Sequence, residues 1–140
     1  MTVRARWIAL ALALTLAACS GIPQRANDQP VPQKYQKYLQ YAGAPIDRFT
    51  YLGRYDSWVA ISNTQLVVWT TFDNAYLLTV LEPCINLRFA NRIALTDTTN
   101  TVNSRLDFVI VGRERCQITE IRSVDDKKMR ADARKERAPT

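Results

Sequence analysis

Gln65-Leu66-Val67-Val68-Trp69-Thr70-Thr71, then Phe72-Asp73-Asn74, then Ala75-Tyr76-Leu77-Leu78-Thr79-Val80-Leu81: two apolar runs around a short polar break decide the fold. Both runs are rich in β-branched, aromatic and aliphatic residues and are bounded by turn formers, which is the pattern of strands. Asn and Asp between them suit a tight turn, so the spacing predicts an antiparallel hairpin. Side chains alternate across a strand. Val67, Trp69 and Thr71 therefore share one side, with Leu66 and Val68 on the other. In the second run Tyr76, Leu78 and Val80 oppose Leu77, Thr79 and Leu81. Both faces are apolar, as in central strands covered on two sides or in a small closed barrel.

The same texture extends outward. Strands are expected near 48–52, 56–62, 92–96, 106–112 and 115–122, besides 65–71 and 75–81. Ser62-Asn63 with Thr64 and Gly112-Arg113-Glu114 read as hairpin links. Leu106, Phe108 and Ile110 alternate with Asp107, Val109 and Val111, and Cys116, Ile118 and the region of Ile121 form the last strand. A polar stretch at 97–105 reads as a loop. Upstream, a short helix is expected from Gln33 to Ala42, after Pro32 and before Gly43 and Pro45. Tyr35, Leu39 and Ala42 fall on one face of it with Tyr38 beside them. This stripe packs on a sheet in the plainer reading and contacts a sugar or aromatic ligand in the other. The fold class expected is mostly β (α+β): a small antiparallel barrel or sandwich of about six to seven strands, with one N-terminal helix and a disulfide.

The chain begins with Arg4 and Arg6 as its only early charges, followed by an apolar run from Trp7 to Ala18 broken only by Thr15. That run is shorter than the roughly 18–20 residues that span a bilayer, and matches the apolar core of a secretory signal. Leu16-Ala17-Ala18-Cys19 resembles a lipobox. The resemblance implies that residues 1–18 are removed and that Cys19 carries the lipid; Ser20 after it suggests passage to the outer membrane. Residues 19–33, polar and dotted with prolines, would be the lipidated N-terminus and tether. Residues 34–125 would be the globular β-rich domain, and 126–140 a basic tail. Cleavage leaves 122 residues with 17 basic and 13 acidic side chains, the excess lying near the carboxyl end. The tail, with Lys127, Lys128, Arg130, Arg134, Lys135 and Arg137, reads as a solvated, frayed end, or else as a binder of anionic lipid headgroups, lipopolysaccharide or another acidic envelope polymer.

With Cys19 assigned to lipid, Cys84 and Cys116 remain. Outside the cytoplasm two such cysteines most simply form a structural disulfide. A redox pair is the alternative, although catalytic dithiols usually sit close together in sequence.

The chemistry open to this chain is narrow. It has no histidine, which removes the usual general base, the usual zinc ligand and the Ser-His-Asp and Cys-His triads. No phosphate-cradling glycine motif and no S-x-x-K occurs. Two carboxylates suffice for glycoside hydrolysis, and Asp47, Asp56, Asp73 and Asp107 are the acids to consider, each more simply a turn cap or surface charge. No cofactor, metal or nucleic-acid partner is expected, and no catalytic residue is assigned.

Tyr76-Leu77-Leu78-Thr79-Val80-Leu81-Glu82-Pro83-Cys84 with Leu87, Asp107 leading an apolar strand, and Cys116-Gln117-Ile118-Thr119-Glu120-Ile121 together resemble, with the lipobox, a family of small uncharacterised Gram-negative lipoproteins classed as a domain of unknown function. The resemblance covers about residues 45–125. It implies an envelope location and a Cys84–Cys116 pair, and brings no activity or catalytic residue.

Three functions follow as expectations. The first is a non-enzymatic accessory or binding module on the periplasmic face of the outer membrane, held there by lipid on Cys19, with an envelope protein as partner. The second is a carrier or sensor of a small apolar ligand, its cavity lined by Trp58, Trp69, Tyr76 and Phe108. The third is a carboxylate hydrolase. A hollow interior would favour the second and a packed one the first.

Overall fold

The computed structural model describes residues 30–138. The expected signal sequence, Cys19 and most of the expected tether lie outside them. The described chain runs α1 (Gln33–Gln40), β1 (Ala42–Ile46), β2 (Arg48–Thr50), β3 (Ser57–Ala60), β4 (Gln65–Thr71) and β5 (Asn74–Val80). A 3-10 turn at Leu87–Phe89 follows, then β6 (Ala94–Leu95), β7 (Thr101–Asn103), β8 (Phe108–Val111), β9 (Glu114–Val124) and α2 (Asp126–Arg137).

The hairpin that led the sequence reading is the middle of the sheet. β4 and β5 pair antiparallel with Leu66 opposite Leu78 and Val68 opposite Tyr76, turning at Phe72-Asp73. Seven strands run in the order β3-β4-β5-β9-β8-β6, with β1 also on β9; β2 and β7 form a separate ribbon. The whole is a curled antiparallel half-barrel.

The long strand β9 produces the curl. One edge pairs with β5 from Ile118 to Val124. The other edge carries β8 along Glu114–Gln117 and β1 from Ile121 to Val124. A register shift opposite Thr79 and Val80 bends the strand, as a β-bulge does by inserting an unmatched residue. It also explains why Ile118 and Ile121, an odd number of residues apart, both enter the same core. At the β8–β9 turn Gly112 has φ 61°, a left-handed conformation that glycine adopts without the Cβ penalty.

The inside of the curl is filled. Leu66, Val68, Leu78, Val80, Val109, Val111, Ile118 and Ile121 form one buried cluster. The β2–β7 ribbon closes over it with Phe49, Tyr51 and Val102. The Phe49 ring stacks on Tyr76 at 4.2 Å between centroids. The other face of the β4–β5 hairpin holds a smaller cluster of Ile61, Val67, Ala75, Leu77 and Val124, against which Tyr35, Tyr38, Tyr41 and Trp69 pack.

The strand faces follow the sequence reading, while four features depart from it. The helix ends at Gln40 and packs through Tyr35 and Tyr38; Leu39 is 37 % exposed and Ala42 opens β1. β1 occupies Gly43 and Pro45, read as a helix stop; proline is tolerated because the pairing with β9 is irregular between Ala42 and Pro45. The 97–105 loop contains β7, whose Val102 is fully buried. The expected basic tail is a helix. The Asp125 carboxylate accepts from the Lys128 N–H at its start, Met129 is buried, and Asp126 pairs with Arg130 at 2.7 Å. An N-cap, helix-forming residues and cations in the last turn stabilise such a segment where solvent alone would fray it.

Candidate functional site

Cys84 and Cys116 are joined as a disulfide, with Cα atoms 5.7 Å apart. Both side chains belong to the larger core. Beside them, Glu114 accepts backbone N–H bonds from Ile85 and Asn86, each at 3.1 Å. Cys84, Glu114 and Cys116 offer three ligand atoms within 4.8 Å of one another. The chemistry of that set points to structure: the sulfurs are bonded to each other, and the carboxylate holds the turn after Cys84. Sequence reading found the cysteines and missed Glu114, because a charge in a hairpin link carries no signal of what it reaches.

The four aspartates sit at separate places in the fold. Asp47 lies between β1 and β2 and Asp56 precedes β3. Asp73, in the β4–β5 turn, pairs with Lys127 at 3.3 Å and Arg130 at 3.0 Å. Asp107, 4 % exposed, accepts from the Thr96 hydroxyl at 2.9 Å, the Asn103 N–H at 2.8 Å and the Asn103 side-chain amide at 3.1 Å. It is the polar clasp that holds β7 against the start of β8. Its oxygens are already engaged by donors, an arrangement suited to positioning the backbone.

The four aromatics proposed to line a cavity are dispersed as well. Tyr76 and Trp58 pack with the inner core. Trp69 lies on the other face, edge-on to Tyr38 at 5.6 Å. Phe108 carries the Arg115 guanidinium over its ring at 4.6 Å.

Two of the surface depressions bring basic side chains beside other groups. One, of about 330 Å³, lies beside the β2 end of the ribbon and is lined by residues that include Thr50, Leu52, Arg54, Thr70, Asn74 and Tyr76. Arg54 is exposed there beside hydroxyl and amide groups, so the groove can receive a small polar or anionic group. The second, also about 330 Å³, is lined by Phe72, Asp73, Lys127, Arg130 and Arg134. Here Arg130 donates to the Phe72 carbonyl at 3.0 Å and lies 4.0 Å over its ring. Phe72 itself is 72 % exposed.

Tyr41 joins α1 to α2. Its carbonyl accepts from the Asp125 N–H at 2.9 Å, and its hydroxyl donates to Asp132 at 2.9 Å. That hydrogen bond, more than anything else, holds the Tyr41 phenol above its ordinary pKa. Burial raises the phenols of Tyr38, Tyr51 and Tyr76. Among the described residues no helix is long and apolar enough to cross a membrane.

A family model described as a family of unknown function, DUF6491, matches residues 2–140. No curated protein and no solved structure matches the chain.

Proposed function

From the premise that the chain belongs to the DUF6491 family of unknown function, we propose that the protein is a lipid-anchored, non-enzymatic binding module of the bacterial cell envelope. In this reading Cys19 carries acyl chains and the domain stands at the periplasmic face of the outer membrane. The observation that carries the proposal is the order of parts along one chain. An apolar run ends in Leu16-Ala17-Ala18-Cys19, a polar proline-dotted stretch follows, and then a disulfide-closed β domain. A disulfide persists in an oxidising compartment, and acyl chains on a single residue suffice to hold a domain on a bilayer when more than one is present. The packed interior of the half-barrel, with Leu66, Val68, Leu78 and Ile118 fully buried, favours an accessory module over a carrier of a small apolar ligand. The absence of histidine from the sequence and the engagement of Asp73 and Asp107 by donors favour binding over hydrolysis.

The test has two measurements. Intact mass of the membrane-extracted protein should show a chain beginning at a diacylglyceryl-modified Cys19; a chain beginning at Met1, or an unmodified Cys19, would refute the anchor. In-cell cross-linking with mass spectrometry should capture a dominant envelope protein. Recovery of a co-purifying small apolar molecule in place of a protein would transfer the reading to the carrier.

A further inference from the structure

The net positive charge of the described residues lies in the two helices. α1 and α2 carry eight Lys and Arg side chains against three Asp and Glu; the other described residues carry eight against nine. All five lysines of the chain, Lys34, Lys37, Lys127, Lys128 and Lys135, lie in these helices. The helices are held together by Tyr41, and α1 packs over the smaller core on the back of the β4–β5 hairpin. Part of the charge is spent locally: Asp73 and Asp126 take Lys127 and Arg130. Lys128, Arg134 and Arg137 are exposed and form no ion pair among the described residues. Beside Lys127, Arg130 and Arg134 the β4–β5 turn presents Phe72, its ring largely open to solvent and its carbonyl bound by Arg130.

We propose that the α1–α2 face, with Phe72 at its edge, docks onto an anionic phospholipid surface. Cations gathered on two joined helices of an otherwise near-neutral domain create a field that orients it toward negative charge. Lys and Arg near an anionic leaflet are attracted within a Debye length, and an aromatic ring beside them suits the headgroup level. The entry point of the chain favours this occupant over an acidic protein. α1 begins at Gln33, only fourteen positions after Cys19. At roughly 3.5 Å per residue at full extension, a lipid on Cys19 keeps the basic helices within about 50 Å of the bilayer. The inference uses the lipid-anchor reading for this proximity alone; the charge separation stands without it.

The experiment takes the mature protein as extracted from membranes and mixes it with vesicles of phosphatidylcholine alone or of equal parts phosphatidylcholine and phosphatidylglycerol. Flotation with the neutral vesicles reports the acyl anchor. Lysine acylation rates, read peptide by peptide, report docking, because every lysine is in the two helices. Several-fold slower acylation in the anionic vesicles, restored by high salt, is expected. The triple variant K128E/R134E/R137E should lose the protection with its melting temperature unchanged, and Phe72→Ser should weaken it. Equal rates in both vesicle types, or protection that survives the triple variant, would overturn the proposal. A protein that fails to float with neutral vesicles and is still protected by anionic ones would remove the anchor and leave the docking face standing.

Discussion

The Tyr55 hydroxyl donates to the Ile93 carbonyl at 2.8 Å, and this contact links the two ends of the curled sheet. Tyr55 lies just before β3 and Ile93 just before β6, the first and last strands in the sheet order. Strand pairing leaves the half-barrel open between them. A phenol crosses the gap to a carbonyl of Ile93, itself buried.

Tyr55→Phe removes that donor and keeps the ring. A net hydrogen bond contributes about 1 kcal/mol, which lowers the melting temperature by roughly 4–8 °C in a domain of this size. Thermal unfolding followed by circular dichroism measures it. An unchanged midpoint would mean that packing alone closes the seam.

Asp107→Ala should be more severe. It removes the buried acceptor of the half-buried Thr96 hydroxyl and Asn103 N–H, and leaves the Asn103 side-chain amide only the Thr101 carbonyl. Losing this set of hydrogen bonds around a buried carboxyl group costs about 2 kcal/mol. β7 should loosen first, so hydrogen exchange at Val102 and Asn103 should rise before global unfolding. If Asp107 served chemistry alone, its removal would leave exchange at β7 unaltered.

The disulfide closes a loop across a sequence separation of 32. The chain-entropy model gives roughly 3–4 kcal/mol for a loop of this length. Urea unfolding of C84S/C116S should show a matching fall in stability with a slope that does not decrease, because the chain without the cross-link exposes at least as much surface when unfolded.

Alkaline pH should weaken the fold. Burial raises the phenols of Tyr38, Tyr51 and Tyr76 above their ordinary value of 10.0, and the hydrogen bond to Asp132 raises Tyr41. A raised folded pKa means that the fold favours the neutral phenol. The resulting stability is complete below about pH 10 and is lost as pH rises through the higher folded values. Melting temperatures taken with tyrosinate absorbance from pH ~8 to ~11 test the sign. A flat profile across that window would contradict it.

The elements legible in the sequence share one property: their signal is local. β4 is predicted at 65–71 and observed there, and β5 and β9 fall within two residues of their expected ends. A strand of seven or more residues repeats its alternation often enough to be read. β7 has three residues, Thr101-Val102-Asn103, and no period to detect. β1 contains Gly43 and Pro45, which argue against a strand until β9 offers an irregular edge. α2 did carry a readable sign, Asp125 before a run of Lys, Arg, Ala and Glu with Met129 inside it, but charge density outweighed the cap. Asp107 was one of four acids read alike as turn caps or surface charges; its role depends on Thr96 and Asn103, neither marked by spacing.

By itself the sequence determined what local chemistry can determine. Alternating apolar residues required strands with two buried faces, two cysteines beyond Cys19 stood available for one bond, and the lack of histidine narrowed the reactions open to the chain. Tertiary structure decided which edges of β9 received β1, β5 and β8, that the interior was filled by Phe49 and Val102 from a separate ribbon, and that the basic end folded back onto Tyr41. These depend on contacts between residues far apart in the chain, such as Tyr41 with Asp132. Their free energy exists only once the sheet has brought the partners together, so no window of sequence contains it.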